Sequence, residues 1–210
     1  DTIAAANSKG KPVQMMPTVT VEKDVKFLKR HPDYSIGDNV LSYLTEIFLY
    51  INNECDQKCN ICTSAYKQFT CCTVKKTNLP PLDKQRIKEM LDQTKSASVK
   101  RLNVLGGDIF KYPSFAELKQ MLKAYSGEII FHTHFLNLFE KDGSLTGQLK
   151  LFANNSDGLK VYVTSPINRE RLKIALDFFR EAVVNHQFVF IIQDEEEFRE
   201  VESLISLFYS

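Results

Sequence analysis

Five cysteines, Cys55, Cys59, Cys62, Cys71 and Cys72, are all that the 210-residue chain contains, and all fall in one stretch. A disulfide scaffold spreads its bridges along the chain and uses cysteines in even number. This cluster points instead to a metal or redox site. Cys55-Asp56-Gln57-Lys58-Cys59-Asn60-Ile61-Cys62 has the spacing C-x3-C-x2-C. Thiolates are soft ligands that suit iron–sulfur clusters, zinc or copper(I). Three from one short loop wrap a corner of a cubane and leave the fourth iron open to a substrate or cofactor. Zinc would instead recruit a fourth ligand, Cys71, Cys72 or a histidine, and close a tetrahedron. Cys71 and Cys72 have two readings. They are an ordinary pair of thiols, or one of them ligates an auxiliary cluster, binds zinc or holds a substrate. Lys67, Lys75 and Lys76 flank them with charge that lowers a thiol pKa, although a loop lysine is ordinarily just solvated.

The elements that position this loop are legible in the apolar pattern. Ile47 to Ile51 is a continuous apolar run of strand length. Arg101–Leu105, Glu128–Phe131, Leu159–Val163 and Phe188–Ile192 repeat the style. Each ends in a small or polar cluster: the cysteines, Gly106-Gly107-Asp108, His132-Thr133-His134, Thr164-Ser165 and Gln193-Asp194. Helical periodicity fills the gaps. Asp83 is expected to cap a helix with Ile87, Met90, Leu91 and Thr94 on one face. Ser114 and Glu117 read as a capping box before Leu118, Met121, Leu122 and Tyr125, with Gly127 as the stop. Asn168 precedes Leu172, Ala175, Leu176 and Phe179; Asp194 precedes Phe198, Val201, Leu204, Ile205 and Phe208. Strands alternating with helices predict an α/β fold with a parallel sheet, whose carboxyl strand ends form the ligand rim. The polar residues at those ends also read as plain helix caps, Thr164, Ser165 and Asp194 above all.

The cysteine loop directly after the first strand, with Gly-Gly-Asp after the second, resembles the radical SAM superfamily. The resemblance implies an open partial (β/α) barrel with five of the family's six βα units, spanning residues 44–210 after an N-terminal extension at 1–43. It implies a [4Fe–4S] cluster on Cys55, Cys59 and Cys62, and S-adenosylmethionine chelating the open iron. One-electron reduction of the sulfonium would then give a 5′-deoxyadenosyl radical that abstracts hydrogen, and an electron donor must supply the electron. Gly106, Gly107 and Asp108 stand where the family has a Gly-Gly-Glu-like motif whose backbone meets the methionine amino group. Asp108 shortens the reach of the usual Glu. Ile61 stands where the family usually has an aromatic residue near the adenine. By position, Thr133, Thr164, Ser165 and Ile192 would face ribose and adenine, while His132 and His134 either face the site or end a strand. The N-terminal extension is similar to that of peptide maturases in the superfamily, which implies a peptide substrate. Ile61, Asp108 and the absent sixth unit also suit a scaffold of this fold without radical chemistry. A structural zinc domain is the third reading.

Composition narrows the partners. The chain has 27 Lys+Arg against 26 Asp+Glu, and a charge of +1 gives no push toward nucleic acid or anionic lipid. It is 43% hydrophobic and 25% charged, ordinary for a globular chain. No apolar run reaches the roughly 18 residues of a membrane span. Asp1 to Ala6 lacks the basic leader of a signal peptide, so a cytoplasmic protein is expected, and a start at Asp suggests a fragment or a trimmed chain.

Overall fold

The computed structural model describes residues 4–6, 12–14, 46–52, 54–55, 81–94 and 99–209. The chain divides into two units, Asp1–Val40 and Leu41–Ser210. In the first, β1 (Ala4–Ala6) pairs antiparallel with β2 (Pro12–Gln14), Ala5 opposite Val13. The sequence reads as an irregular lead-in here, because these strands carry little β-branched or aromatic signal. The stretch from Val21 to Arg30 has a sequence that could make a short helix, and it lies outside the described residues.

The second unit alternates as expected: β3 (Glu46–Tyr50), α1 (Lys84–Thr94), β4 (Arg101–Leu105), α2 (Phe115–Leu122), β5 (Glu128–His134), β6 (Gly158–Thr164), α3 (Arg169–Glu181), β7 (His186–Ile191), α4 (Glu195–Leu204) and α5 (Ser206–Tyr209). The five strands form one parallel sheet in the order β3-β4-β5-β6-β7. The two outer strands do not pair with each other, so the sheet is open. No helix among the described residues is long and apolar enough to cross a membrane.

Strand alternation divides the sheet into two chemically different faces. Leu102, Val104, Phe131, Val161 and Val163 are buried toward the helices. Phe131 meets Phe115 of α2 edge-on, and Phe188 and Phe190 of β7 meet Phe208 of α5. The other face carries Phe48 and Tyr50, both exposed, and the polar set Glu46, Arg101, Asn103, His132, Lys160 and Tyr162.

Three helix caps form as the sequence indicates. The side-chain oxygens of Asp83, Asn168 and Asp194 accept the backbone N–H of Arg86 at 2.8 Å, Arg171 at 2.9 Å and Glu197 at 2.9 Å. The capping box at Ser114 does not form. Ser114 is left-handed, with φ 56° and ψ 47°, and makes no side-chain cap bond. A capping serine needs extended backbone to aim its hydroxyl at the first turn. Glu117 pairs instead with Lys84 on α1. Nor does Gly127 stop the helix, which ends at Leu122. Gly127 directly precedes β5, and a Cβ there would lie 2.5 Å from the Lys100 carbonyl oxygen. Close backbone approach is why glycine stands there.

Candidate functional site

The sheet brings the ends of β3 and β4 together, and Asn52 joins them. β3 and β4 run in register from Glu46 opposite Arg101 to Tyr50 opposite Leu105. One step beyond, Ile51 N–H donates to the Leu105 carbonyl at 2.8 Å. Asn52 then meets the Gly-Gly-Asp turn with three groups. Its side-chain oxygen and its backbone carbonyl each accept the Gly107 N–H at 3.0 Å, and its Nδ2 donates to the Asp108 carbonyl at 2.9 Å. Gly106 is required by this fit, since a Cβ there would lie 2.6 Å from the Asn52 side-chain oxygen and 3.0 Å from its carbonyl. The Asp108 N–H donates to the Glu54 carbonyl at 2.5 Å, one residue before Cys55. The first cysteine thus enters its loop beside Gly106-Gly107-Asp108.

Asp108 is buried, and its Oδ1 accepts the Phe110 N–H at 3.0 Å, capping the short 3-10 turn Ile109–Lys111. Cys55 is half-buried. Cys59, Ile61, Cys62, Cys71 and Cys72 lie outside the described residues.

The remaining positions named from the sequence separate by face. β5 runs on through His134, so the expected rim cluster is strand. Thr133 alternates with His132 and His134 and shares the helix-covered face of Phe131. It is fully buried, and its Oγ1 has no hydrogen-bond partner among the described residues. By strand parity its side chain lies on the opposite face from His132 and His134. His134 is buried; its Nδ1 accepts the Leu136 N–H at 3.2 Å, so its Nε2–H donates to the Thr164 hydroxyl at 3.1 Å. Ser165 donates to the Glu200 carboxylate at 2.5 Å, and the same carboxylate accepts the Ile167 N–H at 2.9 Å. Ile192 is exposed beyond the end of β7.

Deeper on the same face, Asn103, His132 and Tyr162 form a buried polar layer. Asn103 Nδ2 donates to Glu46 at 3.2 Å, which turns its oxygen toward His132 Nε2 at 3.0 Å. Nε2 therefore carries the proton, and Nδ1 accepts the Tyr162 hydroxyl at 2.9 Å. Burial, followed by repulsion from Lys160, lowers the His132 pKa to about 3, so the ring is neutral at physiological pH. Sequence reading missed Asn52, Glu200 and Tyr162 as supports of this rim. The one visible signal was a polar residue directly ending the first apolar run.

The donor chemistry fits an iron–sulfur cluster. Three thiolates at C-x3-C-x2-C spacing follow β3, and the first is adjacent to a turn whose glycine lets backbone approach closely. Among the described residues, which include only the first of these cysteines, no group of three metal-ligating side chains gathers.

No protein-family model matches the chain, and no curated protein does. Solved structures do. The chain is similar to SuiB from Streptococcus suis bound to its precursor peptide SuiA, with TM-score 0.56 and 16% identity over 96% of this chain and 44% of that one. SuiB alone gives TM-score 0.53 and 17% identity over 87% and 40% of the two chains. SuiB bound to S-adenosylmethionine gives TM-score 0.55 and 14% identity over 88% and 48%. At these identities the likeness establishes a shared fold. The chain spans less than half the length of these structures.

Proposed function

We propose that this chain is the barrel of a radical SAM enzyme that modifies a peptide, working in the cytoplasm with an external electron donor. The observation that carries the reading is the junction of Asn52 with Gly106-Gly107-Asp108, which sets the start of a three-cysteine loop beside a close-approach turn at the carboxyl edge of a parallel sheet. A shared fold with SuiB, whose structures hold S-adenosylmethionine and a precursor peptide, supports it.

Cys55, Cys59 and Cys62 would hold a [4Fe–4S] cluster, and Gly106, Gly107 and Asp108 would bind the methionine end of S-adenosylmethionine. When bound, these groups supply one-electron cleavage of the sulfonium to a 5′-deoxyadenosyl radical. Asn52 orients the turn. Ile61 would pack an apolar side chain near the adenine, and Ser165, anchored by Glu200, offers its oxygen lone pairs as an acceptor. Neutral His132 and its partners give the sheet face fixed dipoles without a titrating charge.

Anaerobic reconstitution of the chain tests the reading. We expect bound iron and sulfide, broad visible absorbance, calorimetric binding of S-adenosylmethionine, and 5′-deoxyadenosine under strong reductant. Iron without cofactor binding would favour a scaffold of this fold. Stoichiometric zinc with no chromophore would favour a structural zinc domain.

A further inference from the structure

Beside the Gly-Gly-Asp turn a cavity of about 500 Å³ opens, lined by Asp108, Phe110 and Lys111 after β4, by the segment after β5, and by Arg171 in the first turn of α3. Its size falls within the roughly 300–1,000 Å³ of ligand sites. Two features of its wall are incomplete. Asn137 is 5% exposed, and neither its carboxamide nitrogen nor its oxygen has a hydrogen-bond partner among the described residues. A buried amide left in that state costs free energy, and native structures satisfy nearly all such groups. Arg171 lies over the Phe139 ring, 5.2 Å from its centroid, and among the described residues neither it nor Lys141 forms an ion pair. Glu140 and the capping carboxylate of Asp108 also line the cavity, so it is not a uniformly basic patch.

We infer that this cavity is a docking subsite for a short acidic segment of a peptide, with Asn137 recognising a backbone amide and Arg171 and Lys141 recognising a carboxylate. Each part of the wall selects one part of that ligand. A carboxamide with both a donor and an acceptor to satisfy is complementary to another amide, the repeating unit of a peptide. A guanidinium held over an aromatic ring keeps its N–H donors available to a carboxylate. Phe110, Leu136 and Phe139 supply apolar wall for the segment's stem. Asp108 belongs both to this cavity and to the Gly-Gly-Asp turn, so a docked segment would run from here to the proposed reaction rim. The inference rests on the peptide-modifying reading and gives it a place on the protein.

The test uses the full chain and a fluorescein-labelled blocked heptapeptide rich in Asp and Glu, followed by anisotropy, with a lysine-rich counterpart as control. We expect the acidic peptide alone to bind, and its affinity to fall at least tenfold in Arg171→Glu, Lys141→Glu and Asn137→Leu. Asn137→Leu also separates recognition from structure. A buried amide with no protein partner is removed, so this variant should unfold at higher urea than the parent while binding peptide more weakly. A lower urea midpoint would mean that Asn137 is a structural residue, and the inference would fall. Peptide binding undiminished in Arg171→Glu, or equal competition by inorganic phosphate, would also overturn it. S-adenosylmethionine calorimetry on the same variants keeps the two readings apart. Cofactor binding retained while peptide binding stays unchanged discards the subsite alone; cofactor binding absent from the reconstituted parent discards the enzyme.

Discussion

The side-chain oxygen of Asn52 accepts the Gly107 N–H at 3.0 Å, and Gly106 has no room for a Cβ against that same side chain. Two sequence-distant loops are thereby fixed at one strand edge. Asn52→Leu removes both side-chain bonds to the turn from a buried site, so we expect a loss of about 1–3 kcal/mol in urea unfolding. Iron content should survive because the cysteines are intact, whereas calorimetric affinity for S-adenosylmethionine should fall at least tenfold. Gly106→Ala pushes the same contact apart and should behave alike. Parent-like cofactor affinity in both variants would make the contact purely structural.

The cysteine assignment makes a separate prediction. Ala at Cys55, Cys59 or Cys62 should each remove most of the visible absorbance of reconstituted protein, because two thiolates hold a cubane poorly. Ala at Cys71 or Cys72 should leave it largely intact. Loss of colour in Cys71→Ala would reassign the ligand set.

The parallel sheet was legible because its strands read as nearly continuous apolar runs, even though one face carries exposed Phe48 and Tyr50 and a polar layer. Ile47 to Ile51 and Leu159 to Val163 mark β3 and β6 to within one residue at either end. Asp83, Asn168 and Asp194 were legible because a cap depends only on residues three apart. Ser114 was not, since its left-handed backbone is imposed by the turn that carries the chain from the 3-10 segment into α2. Likewise Asn52 and Gly106 are 54 positions apart, and no local pattern announces that one requires the other. Gly-Gly was visible as a place where something approaches closely, and part of that something is the protein itself.

Lys119 and Asp157 form a buried ion pair between α2 and the turn before β6, with the ammonium over the Phe131 and Phe152 rings at 5.4 and 4.4 Å from their centroids. Burial lowers the Lys119 pKa despite the hydrogen bond and charge of Asp157. Desolvation outweighs attraction here, so the pair should not be a net source of stability. Lys119→Met strands Asp157 in the core and should cost about 3–5 kcal/mol. The double variant Lys119→Met, Asp157→Leu should recover most of that loss in urea unfolding. No recovery would mean that the pair's geometry, not its charge, holds α2 in place.

His132 carries a pH signature of known sign. Its pKa is near 3 in the folded chain, against an ordinary value of 6.5. Below pH 6.5 the unfolded chain takes up a proton that the folded chain refuses, so the stability from this group is present above 6.5 and is lost as pH falls toward 3. Between pH 7 and pH 5 the loss should be about 2 kcal/mol, following about 1.4 kcal/mol per pH unit. The network explains the refusal. Nε2 already donates to Asn103, and protonation at Nδ1 would confront the ring with the Tyr162 hydroxyl that now donates to it, deep beside Lys160. Gln at this position keeps a donor and an acceptor and cannot titrate. His132→Gln should therefore lose stability more shallowly than the parent over this range, measured as urea midpoints at pH 7, 6 and 5. Identical slopes for the two proteins would show that His132 admits a proton in the fold, and that the layer of Asn103, His132 and Tyr162 opens to water.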